Sequence, residues 1–332
     1  MAGISITDQY DALLTTTLRN YRKKLVDQIF ELMQFLSWLR RGERGRTTDG
    51  GFKLQEQLMY AKNTTFKFYE GYEQLDTTPQ EGLTVAEYRW AEAGGTVSIS
   101  HREQRQNSSK HQILNLLKAK LDQAKMSIRD QLSQKLLANI TTEPTKDVNS
   151  ILNFAQVDPT ASVTIGAINQ NTHSWWRNTQ RDVGAYANNL EDKLRTGYNS
   201  VVKAGQGPPD FVLGTQGAVE YYESLGVTLK RFPVMRNEKA TLDLGFEVFK
   251  YKGADMFWDP DFAVDTPATG DSMIIGKSTA LSFVTDKETD FVTTEFVTPE
   301  NQTAKVAKIL WMGQLTCNNR RCLDLLHGIA AT

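Results

Sequence analysis

The stretch from Gly50 to Asn107 constrains this chain more than any other. It sits between two long helical stripes, has no helical period of its own and offers little to fill a core. It is rich in Tyr, Phe, Thr and Val. Punctuation at Gly50-Gly51, Gly71, Thr78-Pro79, Gly82 and Gly94-Gly95 makes it read as long strands without a helix. Alternation shows at Phe66 and Phe68 and again at Val97 and Ile99. So few inward positions do not offset the conformational entropy lost in ordering the segment. The sequence therefore predicts that this excursion packs against another chain.

On its N-terminal side, Tyr10, Leu14, Leu18, Tyr21, Leu25, Ile29, Leu32, Leu36 and Leu39 recur three or four apart, which predicts a helix from Asp8 to about Arg41. Thr7 or Asp8 caps it, Arg40 and Arg41 suit its negative end, and Gly42 stops it. On the other side, Ile113, Leu117, Leu121, Ala124, Ile128, Leu132 and Leu136 mark a second helix from Ser108 or Ser109 to about Asn139. At ~1.5 Å per residue it would be roughly 45 Å long. That length suits a strut or a coiled coil better than an ordinary globular helix.

Short strand-like pieces follow between Pro144 and Thr172. A third helix is predicted from Trp175 to about Val202, stopped by Gly205, Gly207, Pro208 and Pro209. Phe211 to Leu213 reads as a buried strand, Gln216 to Ser224 as a short helix and Phe246 to Lys252 as a strand. After Pro267 the chain turns to β structure at Met273 to Ile275, Leu281 to Val284, Phe291 to Phe296 and Val306 to Leu315. Cys322 to Ile329 is too short to classify. The fold class expected is α+β.

Composition matters for what it excludes. Lys and Arg number 38 against 39 Asp and Glu, a formal net charge of -1, so the chain as a whole has no field to draw it to nucleic acid or an anionic membrane. No apolar run approaches the ~18 to 20 residues needed to cross a bilayer. The first seven residues lack the basic start and apolar core of a secretory leader, so a reducing compartment is expected. Cys317 and Cys322 are spaced too widely for a CxxC pair and read as small buried side chains. The histidines His101, His111, His173 and His327 are scattered, and Gly214-Thr215-Gln216-Gly217 lacks the Lys and Ser/Thr of a phosphate loop. No catalytic residue, cofactor or metal is expected. Asp255, Asp259, Asp261 and Asp265 read as a solvated turn, since a calcium loop of the EF-hand type would need a central Gly and a terminal Glu.

Charge does separate locally. Arg40, Arg41, Arg44 and Arg46 close a basic segment, whereas Glu70, Glu73, Asp76 and Glu81 lie in an acidic one. The expectation is that the acidic loop of one copy lies near the basic segment of another, setting register more than affinity. Gly50, Gly51, Gly94 and Gly95 are candidate hinges, because glycine tolerates wide changes in φ and ψ.

Several words of the sequence now come together. They are FKLQEQLMYAKNTT after Gly51, YEGYEQLDTTPQEGLTVAEYRW at 69–90, QNSSKHQILNLLKAKLDQA at 106–124, THSWWRN at 172–178, PPDFVLGTQ at 208–216 and AKILWMGQLTCNNRRCLDLLHGIA at 307–330. In this order, with the order of elements above, the chain resembles the major capsid proteins of tailed bacteriophages, which share the Hong Kong 97-type capsid fold. The resemblance implies an N-terminal arm (1–48), an extended β loop (49–107), a long spine helix with the first part of a peripheral domain (108–204), an axial domain (205–266) and the C-terminal part of the peripheral domain (267–332). It implies assembly of the chain with itself as hexamers and pentamers, around double-stranded DNA held without sequence readout. It also implies a separate scaffold protein, a portal, in some relatives a decoration protein, and no membrane partner. An encapsulin-like nanocompartment shell shares the fold and is the alternative.

Overall fold

The computed structural model describes residues 33–41, 44–106, 116–205, 207–229, 249–262, 270–300 and 303–330. Its first half contains α1 (Gln34–Leu39), β1 (Gly45–Thr48), β2 (Leu54–Met59), β3 (Leu83–Tyr88), β4 (Ala91–Ser100), α2 (His101–Gln106), α3 (Leu116–Leu137), α4 (Ile151–Phe154), β5 (Thr164–Ile165) and β6 (Ile168–Asn169). After a 3-10 turn at Ser174–Trp176 come β7 (Thr179–Ala185), α5 (Tyr186–Gly205), β8 (Phe211–Gly214), α6 (Gln216–Leu229), β9 (Phe249–Tyr251) and β10 (Ala254–Trp258). The chain ends with β11 (Asp271–Gly276), β12 (Leu281–Asp286), β13 (Val292–Thr293), β14 (Ala304–Cys317) and β15 (Leu323–Ala330). The expected α+β class holds. The N-terminal helix expected from Asp8 is described only as α1, and the Ser108 or Ser109 cap lies outside the described residues.

Two compact units emerge. The larger takes Leu32–Glu92, Leu132–Glu288 and Met312–Thr332. It is built on a six-stranded sheet in the order β7-β15-β11-β8-β10-β9, in which β11 runs antiparallel to both its neighbours. Strands on either side of residue 267 are thus neighbours in one sheet. Leu190, Leu194 and Val201 of α5 and Ala218 and Val219 of α6 pack with Val212, Met273, Ile275 and Leu326 into a closed apolar cluster. The segment too short to classify, Cys322 to Ile329, enters the strand β15 at Leu323, and β15 pairs in parallel with β7 and antiparallel with β11.

That parallel pairing corrects the third helix, which starts at Tyr186 and not at Trp175. Upstream, side chains reach back to earlier loops: the Trp176 indole donates to Ile165 O at 3.0 Å, and the Asn178 amide donates to Gln156 O at 2.8 Å. Residues 179–185 then lie along β15, where Arg181 Nε meets the buried Asp324 carboxylate at 2.9 Å. A helix through this segment would forfeit the strand pairing and that ion pair together.

Arg320 ties this unit to the loop before the sheet. It is fully buried. Its guanidinium donates to Phe154 O and to Gln170 Oε1, both at 2.9 Å, and to Asn153 O and Asn178 Oδ1 at 3.4 and 3.3 Å. Burial pulls its pKa down to about 10, because these acceptors are neutral. Such a cation is tolerated only while every donor is satisfied.

The smaller unit takes Ala93–Gln131 and Thr289–Trp311 among the described residues. Its strands β4, β13 and the first half of β14 bury Val97, Ile99, Ala307, Ile309 and Trp311, together with Ile128 of α3. The excursion was expected to contain no helix, yet His101–Gln106 forms α2. A capping box explains it: Glu103 N–H donates to Ser100 Oγ at 3.2 Å, and Glu103 Oε2 accepts from Ser100 N–H at 3.0 Å. The expected strand Phe291 to Phe296 is reduced to β13 and a single bridge between Val297 and Val306.

Candidate assembly surfaces

The extended loop is a hairpin with two faces and a long tip. β2 and β3 pair antiparallel from Leu54↔Tyr88 to Met59↔Leu83. One face, with Leu54, Leu58, Ala86 and Tyr88, is buried in the larger unit. There the Tyr88 hydroxyl donates to Cys317 O at 2.8 Å and the Thr316 hydroxyl to Glu56 Oε1 at 3.0 Å. Gly166, at φ +62, comes so close to Ala86 and Tyr88 that a Cβ there would sit 3.0 to 3.1 Å from their side chains. The root of the loop therefore buries more than its sequence suggested. Cys317 and Cys322 are both free and buried, and burial pushes the Cys317 thiol up to about 12.

The opposite face and the tip are bare. Met59 is 80% exposed and Leu83 76%; beyond them, Phe66 is 80% and Phe68 93% exposed, and Tyr69, Tyr72 and Leu75 are also open. Residues 61–81 contain no helix or strand. Their hydrogen bonds are local: Thr65 and Thr78 close small turns on Asn63 and Asp76, and Thr64 reaches Gln80 at 2.9 Å. The Thr78 hydroxyl and amide hold the Asp76 carboxyl below its ordinary range. Exposed apolar side chains at this density on a segment without a core of its own make the tip a candidate interaction surface.

The charged candidates divide by position. Glu70, Glu73, Asp76 and Glu81 are all exposed on the tip, with Lys67 3.6 Å from Glu73. Arg40 is exposed at the end of α1. Arg44 is half-buried, its guanidinium 4.1 Å over the Trp38 ring, and burial lowers its pKa. Arg46 lies 3.6 Å from Glu56 of its own chain, and Arg41 accepts a bond from Arg44 Nε through its carbonyl. Of the candidate hinges, Gly50 and Gly51 adopt φ +60 and +111, which only glycine takes without strain. Gly94 and Gly95 instead lie within β4, and a Cβ on Gly95 would stand 3.0 Å from Ile128. Close packing explains the second of the two, whereas a Cβ on Gly94 would meet only ordinary contacts at 3.5 Å and beyond. Both also line an open groove of about 430 Å³ with Lys120, Ser127 and Gln131 of α3.

One acidic residue was misread. Asp259 is not part of a solvated turn: it is 1% exposed, and Oδ2 accepts the Phe35 N–H at 2.9 Å. Four aspartates around Trp258 and Pro260 look solvated in sequence, and nothing local announces a partner 224 residues away. Among the described residues, no group of three His, Cys, Asp or Glu could hold a metal ion, and no helix is long and apolar enough to cross a membrane.

No family model and no curated protein matches the sequence. Solved structures do match over the whole chain. One is the capsid asymmetric unit of cyanophage A-1(L), with TM-score 0.66 and 11% identity over 96% of this chain and 99% of that one. The holo-SrpI encapsulin complex of Synechococcus elongatus matches with TM-score 0.60 and 10% identity, over 99% and 98%. The capsid of a native GTA particle matches with TM-score 0.55 and 9% identity, over 99% and 100%. The fold is the capsid fold that these shell proteins share, as the order of elements in the sequence implied.

Proposed function

We propose that this chain is the major capsid protein of a tailed bacteriophage, a subunit that assembles through hexamers and pentamers into an icosahedral head around double-stranded DNA. The observation that carries the reading is the pairing of a shell-protein fold over the full chain with a bare apolar tip at residues 60–82. A solitary subunit leaves Phe66, Phe68 and Leu75 in water, forgoing about 2 kcal/mol of burial free energy for each such side chain. A second copy laid over the tip recovers it. Many such contacts, each modest, add up to a stable closed shell.

In this reading residues 1–48 are the arm, 49–107 the extended loop, 108–204 and 267–332 the spine and peripheral parts, and 205–266 the axial part. Gly50 and Gly51 let the loop adjust between hexamer and pentamer environments. The acidic residues Glu70, Glu73, Asp76 and Glu81 steer the tip toward Arg40, Arg41 and Arg46 of a neighbour. Arg44, stacked on Trp38, contributes less. The role is architectural, with no catalytic step. DNA meets a nearly neutral protein and is held loosely through its phosphates. A scaffold protein, a portal and a decoration protein are the further partners, and assembly takes place in the host cytoplasm before the head joins the virion.

The likeness to an encapsulin favours a second reading, a nanocompartment shell. Electron microscopy of the expressed chain tests both. Uniform closed particles are expected, and a compact monomer at all concentrations would overturn the proposal. Particles purified from the native source separate the readings: packaged DNA supports the capsid, and a protein cargo the nanocompartment.

A further inference from the structure

The helix α1 lacks a cap of its own. Met33, the residue before it, makes no side-chain bond to the first turn, so the free N–H groups there need another acceptor. Asp259 supplies it, reaching Phe35 N–H through Oδ2 while Oδ1 accepts Asp261 N–H at 3.1 Å. The apolar side of α1 completes the fit. Phe35, Leu36, Trp38 and Leu39 are buried, and Trp38 lies 4.6 Å from Phe211 of β8 and 5.8 Å from Phe257 of β10, ring centre to ring centre.

We propose that Phe211, Phe257 and Asp259 form a seat for the segment Gln34–Leu39, a tether that the chain can release, and that the Asp259 carboxyl governs how firmly the seat holds. Six residues of helix are too few to persist without their packing. Release therefore means undocking and unwinding together.

The carboxyl is buried with backbone donors and, among the described residues, no cation against it. Burial raises its pKa from 3.8 to about 6, in spite of the N–H groups that favour the charged form. The charged groups around the seat are Asp261 in the same turn, which adds to the rise, Arg44 over Trp38, opposed by Asp210 and Asp255, and Arg40 and Arg41 at the far end of α1. The docked form binds the proton more tightly than the released form, whose carboxyl sees water. Docking is therefore firmest at low pH, weakens as pH rises from about 4 to about 6, and levels off above that.

Hydrogen exchange on the full-length, unassembled chain tests this, with a peptide covering 33–41 as probe and β11 as internal reference. The amides of Ser37 and Arg40, bonded to Met33 O and Leu36 O, report the docked helix. After correction for intrinsic rates, protection of the probe is expected to fall about tenfold between pH 5 and pH 8 while β11 stays protected. Asp259→Asn, which cannot ionise, is expected to abolish that dependence, and Asp259→Ala to leave the probe unprotected at both pH values. Equal wild-type protection at both pH values, or an unchanged pH dependence in Asp259→Asn, overturns the proposal. Should Asp259→Ala also expose β11, the comparison of wild type with Asp259→Asn decides alone. The outcome does not depend on whether the chain builds shells.

Discussion

Phe68 and Phe211 are the same side chain with opposite fates. Phe211 is fully enclosed in the six-stranded sheet between β10 and β11, under Trp38. Phe68 stands almost wholly in water, with Phe66 edge-on at 5.9 Å as its aromatic neighbour. The sheet draws its stability from its own chain, because segments far apart in sequence close over it. The tip has only local turns and cannot. One region is complete in the solitary chain, and the other is left open to water.

Breaking the completed region should have the largest effect on stability. Arg320→Ala strands Gln170, Asn178 and two carbonyls inside the fold, and is expected to cost about 4 kcal/mol in urea unfolding of the unassembled chain. A loss below about 1 kcal/mol would mean that water replaces the guanidinium.

The mirror-image change strikes assembly and spares stability. Phe66→Ser with Phe68→Ser should lower particle yield more than tenfold, while urea unfolding of the single chain shifts by no more than about 0.5 kcal/mol. Loss of both together would place the tip in the chain's own core. Charge should matter less. Reversing Arg40, Arg41 and Arg46 to Glu is expected to slow assembly several-fold at low salt and little at high salt, read by light scattering. The smallest effect belongs to Gly50→Ala and Gly51→Ala. Each places a side chain at positive φ with ample space around it, so about 1 kcal/mol of strain and a modest fall in yield are expected.

How much of this was legible follows from how local each signal is. The long helix α3 could be read because Leu121, Ile128 and Leu132 repeat along one face, and the buried strand at Phe211 to Leu213 because an apolar run sits between Pro209 and Gly214. The tip was legible through what it lacks. The order of strands was not, because β15 finds β7 across some 140 residues and only the closed sheet decides it. The Trp175 segment misled for the same reason: its helical spacing is real, but its pairing partner lies near the C-terminus. Asp259 was hidden as one of four aspartates whose sequence context looks solvated, and Arg320 as one of two adjacent arginines of which Arg321 is exposed.

The central claim is that residues 60–82 gain their order from a sister molecule. Hydrogen exchange of that segment in assembled particles and in the unassembled chain measures it directly. The account predicts rates near those of an unstructured peptide in the solitary chain and strong protection in the particle. Equal protection in both would contradict it.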